Sequence, residues 1–178
     1  MSSLSNYKKG LITLAVIGGL ISSNAFADPV TINITGKVTA AACTIDNSGT
    51  YNVVMPDVTA ATLSSANTYG DWKTFDVTLS NCPAGTTSVT AKFSGTADGS
   101  DANKYANTTG AGYATNVSVQ VQNRSGTAAD KGNNSTMTVN VDGSKKATFD
   151  LQARPFSTLG SATVGNIKAV ALMDFTYN

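Results

Sequence analysis

The sequence predicts an all-β fold, a sandwich or barrel of short antiparallel strands, and three observations support this. Apolar residues recur at every second position through most of the patterned segments, with polar residues between them. Clusters rich in Gly, Asn and Asp separate these segments at short intervals. Beyond residue 27, no segment sustains the 3.6-residue apolar period of an amphipathic helix.

The alternating segments are predicted to be strands with one face on a core and the other face in water. Their apolar positions are, in chain order, Val30, Ile32 and Ile34; Phe75, Val77 and Leu79; Val89, Ala91 and Phe93; Val117, Val119 and Val121; Met137, Val139 and Val141; and Ala147, Phe149, Leu151 and Ala153. A last segment alternates at Ile167, Ala169, Ala171, Met173, Phe175 and Tyr177. Because Val170 and Leu172 make its second face apolar too, we expect this segment to be covered on both faces or to lie centrally in a sandwich.

The chain begins with the three parts of a secretory signal. Lys8 and Lys9 precede an apolar run over residues 11–21, and Ala25-Phe26-Ala27 supplies a small-x-small cleavage site. A membrane anchor is the alternative, but the apolar run is shorter than the roughly 20 residues that a span needs. We therefore expect a signal peptide over residues 1–27 and export of the rest of the chain.

Composition argues against catalysis and against nucleic-acid binding. The chain has no histidine, so the commonest general base and metal ligand is missing, and its 11 acidic residues are scattered among turns. Charged residues make up 13% of the chain, the formal net charge is +1, and no basic cluster follows the signal. The sequence predicts neither an enzyme nor a cofactor or metal site, and no nucleic-acid partner.

Cys43 and Cys82 are the two cysteines of the chain. An even pair in an exported protein predicts a disulfide, because the secretory route leads to an oxidising compartment. Two buried free thiols are the alternative.

Tyr69 and Trp72 are aromatic side chains that could stack on a sugar, as in a lectin. The alternative, which the sequence favours, places Trp72 at the start of a strand with its ring in the core.

The chain resembles the pilin subunits of chaperone–usher pili, specifically those of type 1 fimbriae. The resemblance rests on Gly36-Lys37-Val38 ahead of Cys43-Thr44-Ile45, on residues 79–86 around Cys82, on residues 93–98, on Gly165 and on the aromatic Tyr177 near the end. Residues 81–98 and 151–154 are most similar to the minor adaptor subunit of the type 1 tip fibrillum.

The resemblance implies an incomplete immunoglobulin-like sandwich whose last strand is missing, with an N-terminal donor-strand extension. It divides the chain into the signal peptide (1–27), the extension (28–40) and the pilin domain (41–178). Donor-strand residues would be Val30, Ile32, Ile34, Gly36 and Val38, with Gly36 at a narrow part of a neighbour's groove. The groove edge and chaperone-recognition strand would comprise Gly165, Ile167, Ala169, Ala171, Met173, Phe175, Tyr177 and Asn178, with the terminal carboxylate bound by basic side chains of the chaperone.

The resemblance also implies partners and a location. The partners are a periplasmic pilus chaperone, an outer-membrane usher and neighbouring pilus subunits, either the adhesin or other pilins. The chain would pass through the periplasm and reside in the fimbrium on the cell surface. A tip adaptor that links adhesin and shaft is the favoured role. A major rod pilin and a single-domain secreted adhesin or lectin are the alternatives.

Overall fold

A computed structural model of the protein describes residues 30–38 and 41–178. These residues belong to two compact units, which divide after Gly36. The predicted signal peptide and residues 28, 29, 39 and 40 of the predicted extension lie outside the described residues. No helix among the described residues is both long enough and apolar enough to cross a membrane.

The second unit is all-β, as the sequence predicts. Its described residues form nine strands and one short turn, Asp46–Gly49, in which Asn47 and Ser48 have positive φ. The strands are β1 (Thr44–Ile45), β2 (Thr68–Tyr69), β3 (Lys73–Ser80), β4 (Ser88–Gly95), β5 (Tyr105–Ala106), β6 (Ser118–Asn123), β7 (Thr136–Asn140), β8 (Ala147–Ser157) and β9 (Ala171–Tyr177). The six longer strands, β3, β4 and β6 to β9, fall on the alternating segments, whereas β1, β2 and β5 are too short to show a period.

The strands form two antiparallel sheets. The larger one has the order β1-β3-β8-β6-β5, with β2 paired to one end of β8, and the smaller one has the order β7-β4-β9. Side chains that alternate along β3, β4 and β8 point between the sheets, where Phe93 and Phe149 are almost completely buried. Burial of such apolar area is the main force that stabilises a sandwich of this kind.

The predicted disulfide is confirmed. Cys43 and Cys82 are bonded, their Cα atoms lie 4.2 Å apart, and both side chains belong to the core between the sheets. The bond joins the residue before β1 to the loop after β3, so it reinforces an edge at which β1 contributes only two paired residues.

Three predictions about individual segments are wrong or only partly right. Residues 30–34 form no strand: residues 30–38 have no regular secondary structure and pair with no strand among the described residues. The last strand begins at Ala171 rather than near Gly165, and its second face is not covered, since Val170 is 62% and Leu172 is 58% exposed.

Trp72 does not head a strand or join the core. It precedes β3, is half-buried, and lies against the guanidinium of Arg154 on the outer face of the larger sheet. A period-two pattern cannot show this contact, because Trp72 stands before the first strand residue and its partner is distant in sequence.

Candidate functional site

The last strand, β9, lies at an edge of the smaller sheet. Among the described residues it pairs only with β4, in the register Val89↔Tyr177 to Gly95↔Ala171. Its inward-facing side chains, Met173, Phe175 and Tyr177, are only half-buried although they pack on the core. An edge strand with an incompletely covered apolar face is a template for another strand.

Residues 49–55 lie opposite β9 and belong to no strand. Tyr51, Val53 and Met55 point inward and are half-buried, whereas Val54 between them is 79% exposed. The hydroxyl of Tyr51 accepts a hydrogen bond from the backbone N–H of Thr78 and donates one to the carbonyl of the same residue, both at 3.3 Å. This segment is therefore attached to β3 through a side chain rather than through a strand ladder.

Between residues 49–55 and residues 167–175 runs a groove of about 760 Å³. Its floor consists of core side chains from both sheets, namely Phe75, Val77, Phe93, Tyr105, Val119, Val121, Leu151 and Ala153. Lys168 and Asp174 are the charged residues among those that line it. The groove exposes the interior of the sandwich at the place where a further strand would close it.

Tyr105 is the polar residue of the floor, and only 1% of its surface is exposed. Its hydroxyl donates a hydrogen bond of 2.8 Å to the carbonyl of Lys131. Burial raises the pKa of Tyr105 to about 12, because the phenolate would be poorly solvated there. The phenol is therefore neutral at physiological pH.

Among the described residues, the part of the groove edge before β9 has an isolated bridge between Tyr113 and Asn166 in place of a strand ladder, and side chains add to its backbone hydrogen bonds. Asn107, which is buried, donates hydrogen bonds through Nδ2 to the carbonyls of Ala114 and Asn166. Its Oδ1 accepts one from the backbone N–H of Lys168. Thr108 adds two bonds to the Lys168 carbonyl, from its N–H at 2.8 Å and its hydroxyl at 2.9 Å.

Gly165 begins this edge at a close approach of two backbones. A Cβ atom at this position would lie 2.5 Å from the carbonyl carbon of Tyr113 and 2.9 Å from the Cα of Ala114. Real Cβ contacts are essentially never that short, so only glycine lets residues 165–168 lie against the loop at 107–114.

The predicted groove-edge residues divide into two sets. Ile167, Ala169, Ala171, Met173 and Phe175 line the groove. Gly165, Tyr177 and Asn178 do not line it but lie at the ends of the edge. The Asn178 carbonyl accepts hydrogen bonds from the N–H groups of Thr87 and Ser88, at 2.6 and 3.2 Å.

The predicted donor-strand residues form a separate, uncovered stripe. Exposure is 85% at Val30, 76% at Ile32, 89% at Ile34 and 100% at Val38. At Gly36, a Cβ atom would meet nothing within 4 Å. The donor-strand role of these residues stays a prediction.

Sequence reasoning missed the opposite wall, residues 49–55. The alternation of Tyr51, Val53 and Met55 was the available signal, but it is brief and carries no flanking strand pattern. Among the described residues, no group of three or more His, Cys or Asp side chains is placed to hold a metal ion.

Residues 32–178 of this chain match the model of the Fimbrial protein family. The chain is 38% identical to Protein FimG of Escherichia coli K12 over 172 residues, covering 96% of this chain and 98% of the relative.

Two solved structures share the fold. An antigen and type I fimbria protein of Burkholderia pseudomallei is 28% identical with a TM-score of 0.56, over 78% of this chain and 91% of the other. A subunit from the structure of a chaperone–usher pilus has a TM-score of 0.62 at 18% identity, over 85% and 96% of the two chains, which shows the fold alone. The chain therefore belongs to the Fimbrial protein family, whose members are structural subunits of fimbriae and not enzymes.

Proposed function

We propose that this fimbrial subunit is polymerised into a chaperone–usher pilus by donor-strand exchange, and that its groove accepts the N-terminal extension of the next subunit. The observation that carries the proposal is the groove of about 760 Å³ beside the free edge of β9. It offers backbone groups along one wall and apolar side chains along the floor, which are the two things that an added strand needs.

The extension of this chain has the properties of the matching donor. Four aliphatic side chains alternate along it and are 76% to 100% exposed. Burial of such side chains stabilises by about 1.5–3 kcal/mol each, or roughly 6–12 kcal/mol for four, before the cost of ordering the segment. Main-chain hydrogen bonds to β9 would add to this.

An open groove also accounts for the proposed partners. Unpaired edges and exposed cores promote aggregation, so the subunit needs a periplasmic chaperone that lends a strand until the usher replaces it with the next extension. The signal at residues 1–27 and the disulfide fit export through the periplasm to the fimbrium on the cell surface. On this proposal residues 28–40 are the extension and residues 41–178 the pilin domain.

Within the pilus, a tip adaptor that links adhesin and shaft is the position we favour. Its support is the resemblance of residues 81–98 and 151–154 to the adaptor subunit, together with the 38% sequence identity to FimG. A rod pilin uses the same groove and extension, so the groove does not distinguish the two positions.

The first experiment is periplasmic expression of the subunit with and without its pilus chaperone. We expect soluble protein only as a one-to-one complex, because the groove exposes the core. Abundant, stable monomer in the absence of chaperone would contradict the proposal and favour a secreted single-domain adhesin.

The second experiment tests the donor side. Gly36→Leu should leave the subunit folded, since its Cβ would meet nothing within 4 Å, but should abolish docking into the next subunit. Lys37→Leu adds a similar side chain on the opposite face of the extension and is the matched control. Normal polymer yield from Gly36→Leu would contradict the assigned role.

A further inference from the structure

The outer face of the larger sheet carries a cluster of aromatic rings around one guanidinium, away from the groove lining. The Cζ atom of Arg154, on β8, lies 3.5 Å from the ring centroid of Tyr69 and 4.1 Å from that of Trp72. Phe156, two residues further along β8, packs beside Tyr69 with ring centroids 6.1 Å apart. Tyr69 is 51% exposed, so much of its surface is open to solvent.

The charge of Arg154 has no carboxylate partner among the described residues. Its Nε donates a hydrogen bond of 2.7 Å to Oε1 of Gln120, and no described carboxylate lies within 4.0 Å of its guanidinium. The other arginine of the chain, Arg124, is paired with Asp76. Arg154 is therefore a cation held against aromatic rings, with no described carboxylate at ion-pair distance. Burial lowers the pKa of Arg154, and the more distant charge of Asp130 opposes that shift only in part.

The neighbouring cation is already compensated. Lys104 is 4% exposed and forms ion pairs with Asp101 and Asp130. Its Nζ atom lies 4.1 Å from the ring centroid of Phe156. Asp130 also accepts hydrogen bonds of 2.8 Å from the amides of Gln120 and Gln122. These carboxylates are thus engaged with other partners.

Neutral hydrogen-bonding groups continue the same face beyond Arg154. Gln152 lies two residues before Arg154 on β8 and is flanked across the sheet by Gln122 on β6 and Thr74 on β3. The surface therefore combines the exposed part of Tyr69, one planar cation and a row of amide and hydroxyl groups.

We propose that this surface binds a carboxylate-bearing sugar. The guanidinium fork matches a carboxylate in a two-point hydrogen-bonded pair. Arg154 lies against one face of Tyr69 and one face of Trp72, so the apolar side of a pyranose ring would stack on the opposite face of Tyr69, which is 51% exposed. Amides such as Gln152 suit the hydroxyls of the sugar. An acidic peptide side chain would use the guanidinium alone, so the aromatic and amide groups favour the sugar. This proposal is independent of strand exchange, because no residue of the surface lines the groove.

The test is ligand-observed NMR with two probes that differ only in the carboxylate, methyl β-D-glucuronide and methyl β-D-glucoside. The protein is the full subunit as purified, in complex with its chaperone if that is how it is obtained. We expect saturation transfer to the glucuronide, with at least tenfold weaker binding of the glucoside. Equal binding of both probes, or of neither, would overturn the proposal.

Variants locate the binding on the chain. Arg154→Gln should reduce glucuronide binding at least tenfold, and Arg124→Gln, which removes the other arginine, should leave it unchanged. Arg154→Lys keeps the charge but loses the planar fork, so it should also weaken binding, and it covers the case in which Arg154→Gln does not fold. Wild-type affinity in both Arg154→Lys and Tyr69→Ala would overturn the assignment. Equally strong competition by an aspartate-rich peptide would replace the sugar with an acidic protein partner.

Discussion

Oδ1 of Asn107 accepts a hydrogen bond of 2.7 Å from the backbone N–H of Lys168, a residue 61 positions away in the sequence. Together with the two bonds from its Nδ2, this makes one buried amide a link between the loop at 107–114 and the groove edge, beside the backbone bond from the Asn166 N–H to the Gly112 carbonyl. The Asn107 side chain thus reinforces the edge before β9, where one isolated bridge stands in place of a ladder among the described residues.

Asn107→Ala should lower the free energy of unfolding by about 1–3 kcal/mol, because the Ala114 carbonyl and the Lys168 N–H both lose their bonds to the Asn107 side chain. It should also speed hydrogen exchange at the Lys168 amide specifically. Denaturant titration and exchange measurements check both effects. Asn140→Ala, at an exposed position at the end of β7, is the control. An equal loss of stability in that variant would contradict the assignment of the effect to the hydrogen bonds of Asn107.

Gly165→Ala should destabilise the subunit by about 1–3 kcal/mol, since the new Cβ would overlap the backbone of Tyr113 and force the two segments apart. Thermal or denaturant unfolding measures the loss. Gly143→Ala places a Cβ where nothing lies within 4 Å and should be close to neutral. Similar losses of stability in both variants would mean that the close backbone approach at Gly165 does not require glycine.

Replacing both cysteines, Cys43→Ser with Cys82→Ser, should cost about 4 kcal/mol of stability for a sequence separation of 39 residues. The value comes from the entropy that the bond removes from the unfolded chain. Denaturant titrations of the variant and of wild type, each with and without reductant, measure it. Reductant should affect only wild type; no difference between oxidised wild type and the variant would show that the bond is dispensable.

Alkaline conditions should destabilise the subunit through Tyr105. Its pKa rises from 10.0 to about 12 on folding, so the folded state retains a proton that the unfolded state releases between these values. The resulting stability is fully present below pH 10 and is lost as pH rises toward 12, by about 2–3 kcal/mol in all. The measurement is stability against pH for wild type and Tyr105→Phe.

Tyr105→Phe has no proton to release, so its stability should fall less steeply over this range. Tyr113→Phe controls for the removal of a tyrosine elsewhere. Parallel curves for wild type and Tyr105→Phe would contradict the assignment of the alkaline loss to this buried phenol.

The sequence was sufficient for the strands that hold the core. Alternation at Val89, Ala91 and Phe93, and again along β8, reports which side chains face inward, and this depends only on strand geometry. The disulfide was predictable for a different reason, since an exported chain with two cysteines has one possible internal pair. The groove itself was foreseen through the family resemblance rather than through periodicity.

What could not be predicted depends on partners distant in the chain. Residues 165–170 carry the alternation of a strand, yet Gly165 and Asn107 attach residues 165–168 to a loop instead. Trp72 faces Arg154 across the outer surface, a contact that neither residue's local pattern encodes. The wall at residues 49–55 is held by apolar packing of its side chains and by the Tyr51 hydroxyl, so its short alternation is not accompanied by strand pairing.

The position of the disulfide has a mechanical consequence for a subunit that is built into a fibre. On the proposed assembly, tension arrives along the extension, and Cys43 is among the first residues of the pilin domain to feel it. From there the disulfide transmits the force to Cys82, at the end of the long strand β3. Seven residue pairs join β3 to β8. The two paired residues of β1 are thereby spared a pull that would peel them from the sheet. On the proposed assembly, the disulfide therefore transmits tension into β3 as well as stabilising the folded subunit.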